Sequence, residues 1–169
     1  MKTKLNTPKE VLQHVLAYIK HTSYETFICL EITGVCNKNN IDTFMENTAS
    51  SKILVDRNNR LFSDPDPVKV SISNGKINKI LKKIEIEDID GIAIGIYMLS
   101  KKMIGLLLKK IETYFIADNY NLSLYYAIND LVQEHPMTPV YCDGSSWCDV
   151  DTPKELEMLN TILQDQHYY

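Results

Sequence analysis

Helical patterns and short apolar runs alternate along the chain, and this alternation limits the fold more than any other feature. Residues 91–97 form an unbroken apolar run, which is typical of a strand with both faces buried. Residues 26–30 and 52–56 are shorter runs of the same kind. The pattern predicts an α/β fold, in which helices cover a mixed, mostly parallel sheet.

Two of the predicted helices begin with the same four residues, Thr-Pro-Lys-Glu, at positions 7–10 and 152–155. The threonine suits the N-cap, the proline suits the first helical position, and the glutamate reaches back from the third. The first of these helices should end near residue 21. Further helices are expected over residues 39–46, from a cap at Ser100 to about residue 115, and over 122–133.

An antiparallel hairpin with one solvated face is expected within this framework. Residues 68–72 and 76–80 alternate between apolar and polar, and Asn74-Gly75 between them is the strongest short hairpin signal. Two short strands are expected over residues 139–141 and 146–148. We find no linker or low-complexity segment, so residues 1–169 are expected to form a single domain.

The charge balance argues against several classes of partner. The chain has 18 basic and 22 acidic residues, a net charge of −4, and shows no basic face for nucleic acid. No segment reaches the roughly 18 apolar residues of a membrane span. Because no apolar stretch follows the charged residues at the start, we expect no secretion signal. The four cysteines lack the spacing of a zinc site. We therefore expect a cytoplasmic protein with free thiols, and no nucleic-acid or membrane partner.

The closing segment carries the most chemical information. Asp149 and Asp151 alternate at the end of a predicted strand, so both carboxylates can point the same way. Such a pair suits magnesium, which prefers oxygen ligands and keeps waters for a phosphate substrate. The alternative is that Asp151 only favours the N-terminus of the next helix through its negative charge. Residue chemistry alone favours this second interpretation.

An ordered series of segments resembles the nucleotidyltransferases of the sugar-phosphate and phosphocholine cytidylyltransferase type. Residues 147–156 resemble the Trp-x-Asp/Glu-x-Asp element that closes the family's chains, with the helix start that follows it. Residues 27–31 resemble the strand before the family's metal aspartate, and residues 52–56 resemble the strand after it. Residues 68–83 resemble the family hairpin with its substrate-facing lysine, and residues 91–100 resemble the first acceptor-side strand.

The resemblance implies a truncated nucleotidyltransferase-like, Rossmann-like fold that covers the C-terminal part of the family. It also implies attack of a substrate phosphate on the α-phosphate of a nucleoside triphosphate, with magnesium as cofactor. The substrate-binding residues would be Lys82, Lys83 and Trp147. The metal ligands would be Asp149, Asp151 and Glu31.

The sequence departs from the family pattern at catalytic positions. Its six glycines are scattered, so the family's glycine-rich nucleotide loop is missing. Thr33 stands about where the metal aspartate belongs, and Glu31 replaces it only if the strand end shifts. Tyr125-Tyr126-Ala127 stands where an acidic pair is common in the acceptor-side helix.

These departures favour a degenerate relative that is not catalytic alone, a binding or assembly module for a small phosphorylated ligand near Lys82, Lys83 and Asp149. The alternative is an active nucleotidyltransferase completed by a partner subunit that supplies the nucleotide-binding half. A third possibility is a truncated product without selected activity. Because a shortened sheet leaves a bare edge, we expect a homodimer or higher homo-oligomer. The candidate contact is the first helix, with Val11, Leu12, Val15, Leu16 and Ile19.

Overall fold

A central sheet with helices on both faces organises the chain. The computed structural model describes residues 17, 19–30, 34–58, 61–116, 123–142 and 147–165. The strands are β1 (Thr26–Leu30), β2 (Gly34–Cys36), β3 (Lys52–Asp56), β4 (Lys69–Ser73), β5 (Lys76–Leu81), β6 (Gly91–Ser100), β7 (Thr138–Cys142) and β8 (Trp147–Asp149). The helices are α1 (Lys38–Glu46), α2 (Lys101–Ile116), α3 (Leu124–Val132) and α4 (Pro153–Asp165), with a 3-10 turn at Ile86–Asp88.

The main sheet has six strands, in the order β5-β4-β6-β3-β7, with β1 as a further neighbour of β6. Among the described strands only the β3–β7 pair is parallel, and the other four pairs of this sheet are antiparallel. Strands β2 and β8 form a separate antiparallel pair. The expected mixed sheet is confirmed, but the expectation of a mostly parallel one is wrong.

The error has a physical reason. A continuous apolar run reports that both faces of a strand are buried, and it does not report the strand's direction. All five residues of β3 are buried, as are nine of the ten in β6, yet these two strands run antiparallel.

Strand β6 organises the sheet because it has three neighbours. Along one edge it pairs with β3, with a register irregularity near Gly95. Along the other edge its first two residues pair with β4 and its last five pair with β1. Strands β4 and β1 therefore follow each other along one side of β6.

Two apolar clusters fill the space between the sheet and its helices. The larger one joins the sheet to α2 and α3 through residues such as Leu107 and Ile128. The smaller one lies on the opposite face, where Phe44 of α1 packs with Leu54 and Val140. Ile19 is 5% exposed and belongs to the larger cluster, so it is not available as an oligomer contact. The other proposed contact residues, 11, 12, 15 and 16, lie outside the described residues.

The structure confirms most of the predicted elements within a few residues of their expected ends. The hairpin turns at Asn74-Gly75, where both residues have positive φ. The exception in burial is β1, which we expected to be buried on both faces. Its outward residues Ile28 and Leu30 are 49% and 62% exposed, so that prediction is wrong.

The four cysteines form no disulfide bond, as expected. Burial raises the pKa of the Cys29, Cys36 and Cys148 thiols, so a smaller fraction of each is deprotonated than in an ordinary cysteine. Within the described part of the chain, no helix has the length and apolar character needed to cross a bilayer.

The predicted capping box opens α4. The Glu155 N–H donates to the Thr152 Oγ1 atom at 3.3 Å, and the Thr152 N–H donates to Glu155 Oε2 at 2.8 Å. Because the Thr152 hydroxyl satisfies an amide that the helix cannot, Thr152→Ala should lower the free energy of unfolding by about 1 kcal/mol. Urea denaturation followed by circular dichroism measures this. Thr152→Ser keeps the acceptor and should stay near wild type, and an equal loss in both variants would contradict the capping role.

Candidate functional site

A cleft of about 610 Å³ opens at the end of the sheet where β6 begins. Ile92, Ala93 and Ile94 of β6 line it, and Lys82 lines it directly after β5. The remaining walls are the loop at residues 64–67, the start of α3, strand β8 and the start of α4. Their polar members are Asp64, Asp66, Ser123, Tyr125, Trp147, Asp149, Asp151 and Glu155.

The cleft brings together four of the six residues proposed for the site from the sequence. These are Lys82, Trp147, Asp149 and Asp151. Lys83 is exposed and does not line the cleft. Glu31 lies outside the described residues, so its proposed metal role stays a prediction.

Trp147 is held in place by a buried carboxylate. Its indole Nε1–H donates to Asp56 Oδ2 at 2.8 Å, and Asp56 is 1% exposed at the end of β3. The same carboxylate accepts the Asn58 N–H through Oδ1 at 2.7 Å. Since both oxygens of Asp56 are engaged, the bond fixes β8 and its aspartate against the main sheet.

A buried lysine holds the loop at residues 64–67. Lys69 is 3% exposed, and its Nζ donates to the Asp64 and Pro67 carbonyls. Burial lowers the pKa of Lys69, while the nearby Asp64 and Asp66 raise it. Two prolines, at positions 65 and 67, keep this loop out of helix and sheet. Its two aspartates, Asp64 and Asp66, line the cleft.

Lys82 forms an ion pair with Asp66 across the cleft. The hydrogen bond to Asp66 raises the pKa of Lys82, and the negative charges of Asp66 and Asp151 act in the same direction. The Lys82 and Asp66 side chains are 39% and 76% exposed, so water screens the pair and it contributes little to stability. Breaking this pair therefore costs the fold little, so Lys82 can take a different partner without loss of stability.

The position of Asp151 at the start of α4 is compatible with both interpretations of this residue. The Asp151 N–H donates to Glu155 Oε2 at 3.0 Å, so its backbone takes part in the helix start. Its side chain is exposed and lines the cleft beside Asp149. The hydrogen bonds from Thr152 and Asp151 lower the pKa of Glu155, which keeps this carboxylate charged.

The cleft is strongly acidic. Five carboxylates line it, those of Asp64, Asp66, Asp149, Asp151 and Glu155, against the single ammonium group of Lys82 among the described lining residues. Burial raises the pKa of the nearby Cys148 thiol, and Asp149 and Glu155 raise it further.

Magnesium fits this cleft only in company with a ligand. No group of three or more His, Cys, Asp or Glu side chains is placed to hold a metal ion within the described ranges. Asp149 and Asp151 still offer oxygen donors from one side of the cleft. Magnesium is often bound by one or two carboxylates together with substrate phosphates and water. The residues present therefore suit a magnesium–phosphate complex rather than a bare ion.

Sequence reasoning did not assign residues 64–67 to the site, and it noted Tyr125 only as a departure from the family pattern. Residues 64–67 were predicted only to form a loop. The alternation Asp-Pro-Asp-Pro was an available signal, because the prolines restrict the backbone that carries the two carboxylates. Tyr125 is buried, with its ring centroid 4.5 Å from that of Tyr126, and burial raises its pKa. No spacing in the sequence connects Asp66 with Lys82 or with Tyr125, because three different elements carry them.

Solved structures of similar shape identify the fold. An inositol-1-phosphate CTP transferase from T. maritima superposes with a TM-score of 0.66, at 17% identity, over 93% of this chain and 65% of its own. A UDP-glucose pyrophosphorylase from Acinetobacter baumannii gives a TM-score of 0.59 at 17% identity, over 96% and 59%. A CTP:phosphocholine cytidylyltransferase from Streptococcus pneumoniae gives 0.58 at 11% identity, over 93% and 67%.

This chain has the nucleotidyltransferase-like fold. At such low identities the similarity shows the fold alone. The chain spans 59–67% of the length of the three enzymes, and the matches cover 93–96% of its own length. No protein-family model matches the sequence, and no curated protein is significantly similar to it.

Proposed function

We propose that this protein is a degenerate nucleotidyltransferase-like binding module that holds a small phosphorylated ligand in the cleft and is not catalytic on its own. The observation that carries the proposal is the convergence of Lys82, Trp147, Asp149 and Asp151 on one cleft of about 610 Å³. Clefts of this size hold small ligands, and their few polar groups orient the ligand. Lys82 would bind the phosphate, and Trp147 would pack against the rest of the ligand.

The acidic lining sets a condition on this ligand. A phosphate group placed near five carboxylates and one lysine meets net repulsion, unless the ligand brings positive charge with it. Bound magnesium would neutralise charge on the phosphate and on the carboxylates of Asp149 and Asp151. We therefore expect binding of the phosphorylated ligand to depend on Mg²⁺.

The second candidate function is an active nucleotidyltransferase that a partner subunit completes. One observation favours it: both closing carboxylates line the same cleft as Lys82, which is the arrangement expected if they still hold magnesium for a substrate phosphate. It requires a nucleotide-binding half from elsewhere, since the sequence lacks a glycine-rich loop.

Isothermal titration calorimetry distinguishes the two candidates. We expect saturable binding of phosphocholine or a sugar phosphate in Mg²⁺, loss of that binding in EDTA, and no binding of CTP or UTP. Asp151→Ala should weaken the phosphorylated ligand's binding, because it removes a carboxylate that would share the cation. Asp88→Ala is the matched control, since Asp88 is an exposed acid that does not line the cleft.

The outcomes separate cleanly. Micromolar binding of CTP or UTP that Asp151→Ala abolishes would favour the enzyme and overturn the non-catalytic proposal. Failure of every phosphorylated ligand and nucleotide to bind, in a protein whose circular dichroism shows it folded, would reject both candidates.

A further inference from the structure

Strand β1 leaves one of its edges without a partner among the residues that the structure describes. It pairs with β6 through Thr26–Ser100 to Leu30–Ile96, and no described strand lies on its other side. Its outward side chains Ile28 and Leu30 are 49% and 62% exposed. An unpaired strand edge offers a row of N–H and C=O groups to another strand.

The exposed residues of β1 continue an apolar cluster of the protein. Ile28 lies opposite Met98 and Leu30 lies opposite Ile96, in register across the β1–β6 ladder. Met98 and Ile96 are buried members of the cluster beneath α1. The apolar surface therefore runs without interruption from the core to the bare edge, and it ends at side chains that water contacts.

The protein protects its other edge strands. On β5 the Ile80 N–H donates to Asn129 Oδ1 at 3.0 Å, and Gln133 Nε2 donates to the side chain and carbonyl of Asn78. The same strand carries Lys76 and Lys79, and lysines on an edge discourage pairing.

Strand β7, at the far side of the sheet, contains Pro139, which has no N–H to offer. In contrast, residues 26–30 of β1 include no lysine, no other charged residue and no proline.

We propose that the β1 edge is the interface between two copies of this chain, which pair their β1 strands antiparallel about a two-fold axis. A two-fold axis perpendicular to the sheet places the same face of each copy side by side. With the axis at Cys29, Ile28 of one copy lies opposite Leu30 of the other, and Leu30 lies opposite Ile28. The segment is self-complementary in this arrangement, because Thr26, Ile28 and Leu30 share one face and Phe27 and Cys29 share the other. The two sheets then form one continuous sheet.

The structure favours a second copy over an unrelated partner for two reasons. The edge carries no charged side chain from Thr26 to Leu30 that would select a partner of opposite charge. The exposed side chains are aliphatic on a strand that can pair with itself, which is the requirement for an isologous contact. This inference does not depend on the proposed ligand, because the cleft lies at the opposite end of β6 from the residues that pair with β1.

Analytical ultracentrifugation of the full chain tests the interface. We expect a dimer at micromolar concentration, and Ile28→Lys should raise its dissociation constant by at least about tenfold. Ile86→Lys is the matched control, because Ile86 is 64% exposed in the 3-10 turn, away from β1. If non-specific hydrophobic association formed the dimer, Ile86→Lys would raise the dissociation constant at least as much as Ile28→Lys, because Ile86 is more exposed.

Hydrogen exchange on the wild-type chain keeps the test independent of whether Ile28→Lys folds. Amides in residues 26–30 should exchange faster as the protein is diluted below the dimer dissociation constant, while amides of β3 stay protected. A monomer over the whole micromolar range would overturn the proposal. A dimer that Ile28→Lys leaves intact, or whose dilution does not change exchange in β1, would overturn it as well.

Discussion

Replacing Gly91 with alanine is expected to lower the free energy of unfolding by about 3 kcal/mol. A Cβ atom at this position would lie 2.4 Å from Val55 Cγ1 and 2.8 Å from the Asp56 carbonyl oxygen. Both neighbours belong to β3, whose residues are fully buried and hydrogen-bonded to β6 and β7, so they cannot move away without disturbing the centre of the sheet. Asp56 also anchors Trp147, so the strain should reach the cleft.

Gly105→Ala is the matched control for this substitution. Gly105 lies inside α2, and a Cβ atom there would meet nothing within 4 Å. Because glycine weakens a helix, this variant should be more stable than wild type by about 0.5–1 kcal/mol. Urea denaturation monitored by far-ultraviolet circular dichroism gives both values. If Gly91→Ala left the midpoint unchanged, the close contact between β6 and β3 would be wrong.

Replacing Lys82 with methionine is expected to weaken binding of the phosphorylated ligand by about tenfold to a hundredfold. A hydrogen bond to a charged group contributes about 1.5–3 kcal/mol, and each 1.4 kcal/mol is a factor of ten in affinity. Lys82 is the only cation among the described residues of the cleft wall. Calorimetry on the folded variant measures the change.

Lys83→Met is the control, because Lys83 is next in the chain but outside the cleft. It makes the same change in net charge as Lys82→Met. Because its side chain does not line the cleft, it should bind the ligand as wild type does. Equal losses in the two variants would mean that general charge, and not a contact in the cleft, attracts the ligand.

A second variant changes Asp66, the partner of Lys82 in its ion pair. Asp66→Asn removes the carboxylate that occupies Lys82 and one of the five negative charges of the cleft, so it should tighten phosphate binding. The expected direction is opposite to that of Lys82→Met, and a structural disturbance would not produce this opposition. Weaker binding in Asp66→Asn would show that the loop carboxylate serves the ligand directly.

The candidate site was partly visible in the sequence. Trp147, Asp149 and Asp151 lie within five residues of one another, so a local motif could suggest them together. Lys82 was proposed only because residues 68–83 resemble the family hairpin, and in the structure it lines the same cleft as the other three residues. Asp64 and Asp66 were not predicted, because the ion pair with Lys82 joins residues 16 apart on separate elements.

Local features of the fold were determined by the sequence alone. The Asn74-Gly75 turn, the cap of α2 at Ser100 and the capping box at Thr152 depend on residues within a few positions of each other. Their chemistry acts over one turn of the chain, and it needs no other element.

The direction and burial of the strands were decided by the tertiary structure. The apolar runs of β3 and β6 specify burial on both faces, and the same runs would serve a parallel or an antiparallel pair. Strand β1 shows the converse, since an apolar run predicted to be buried ends with Ile28 and Leu30 exposed. Burial depends on which elements lie against a strand, and those neighbours come from distant parts of the chain. The sequence therefore located most of the elements to within a few residues but did not predict β2, while long-range packing decided the strand order, the acidic cleft and the unpaired edge of β1.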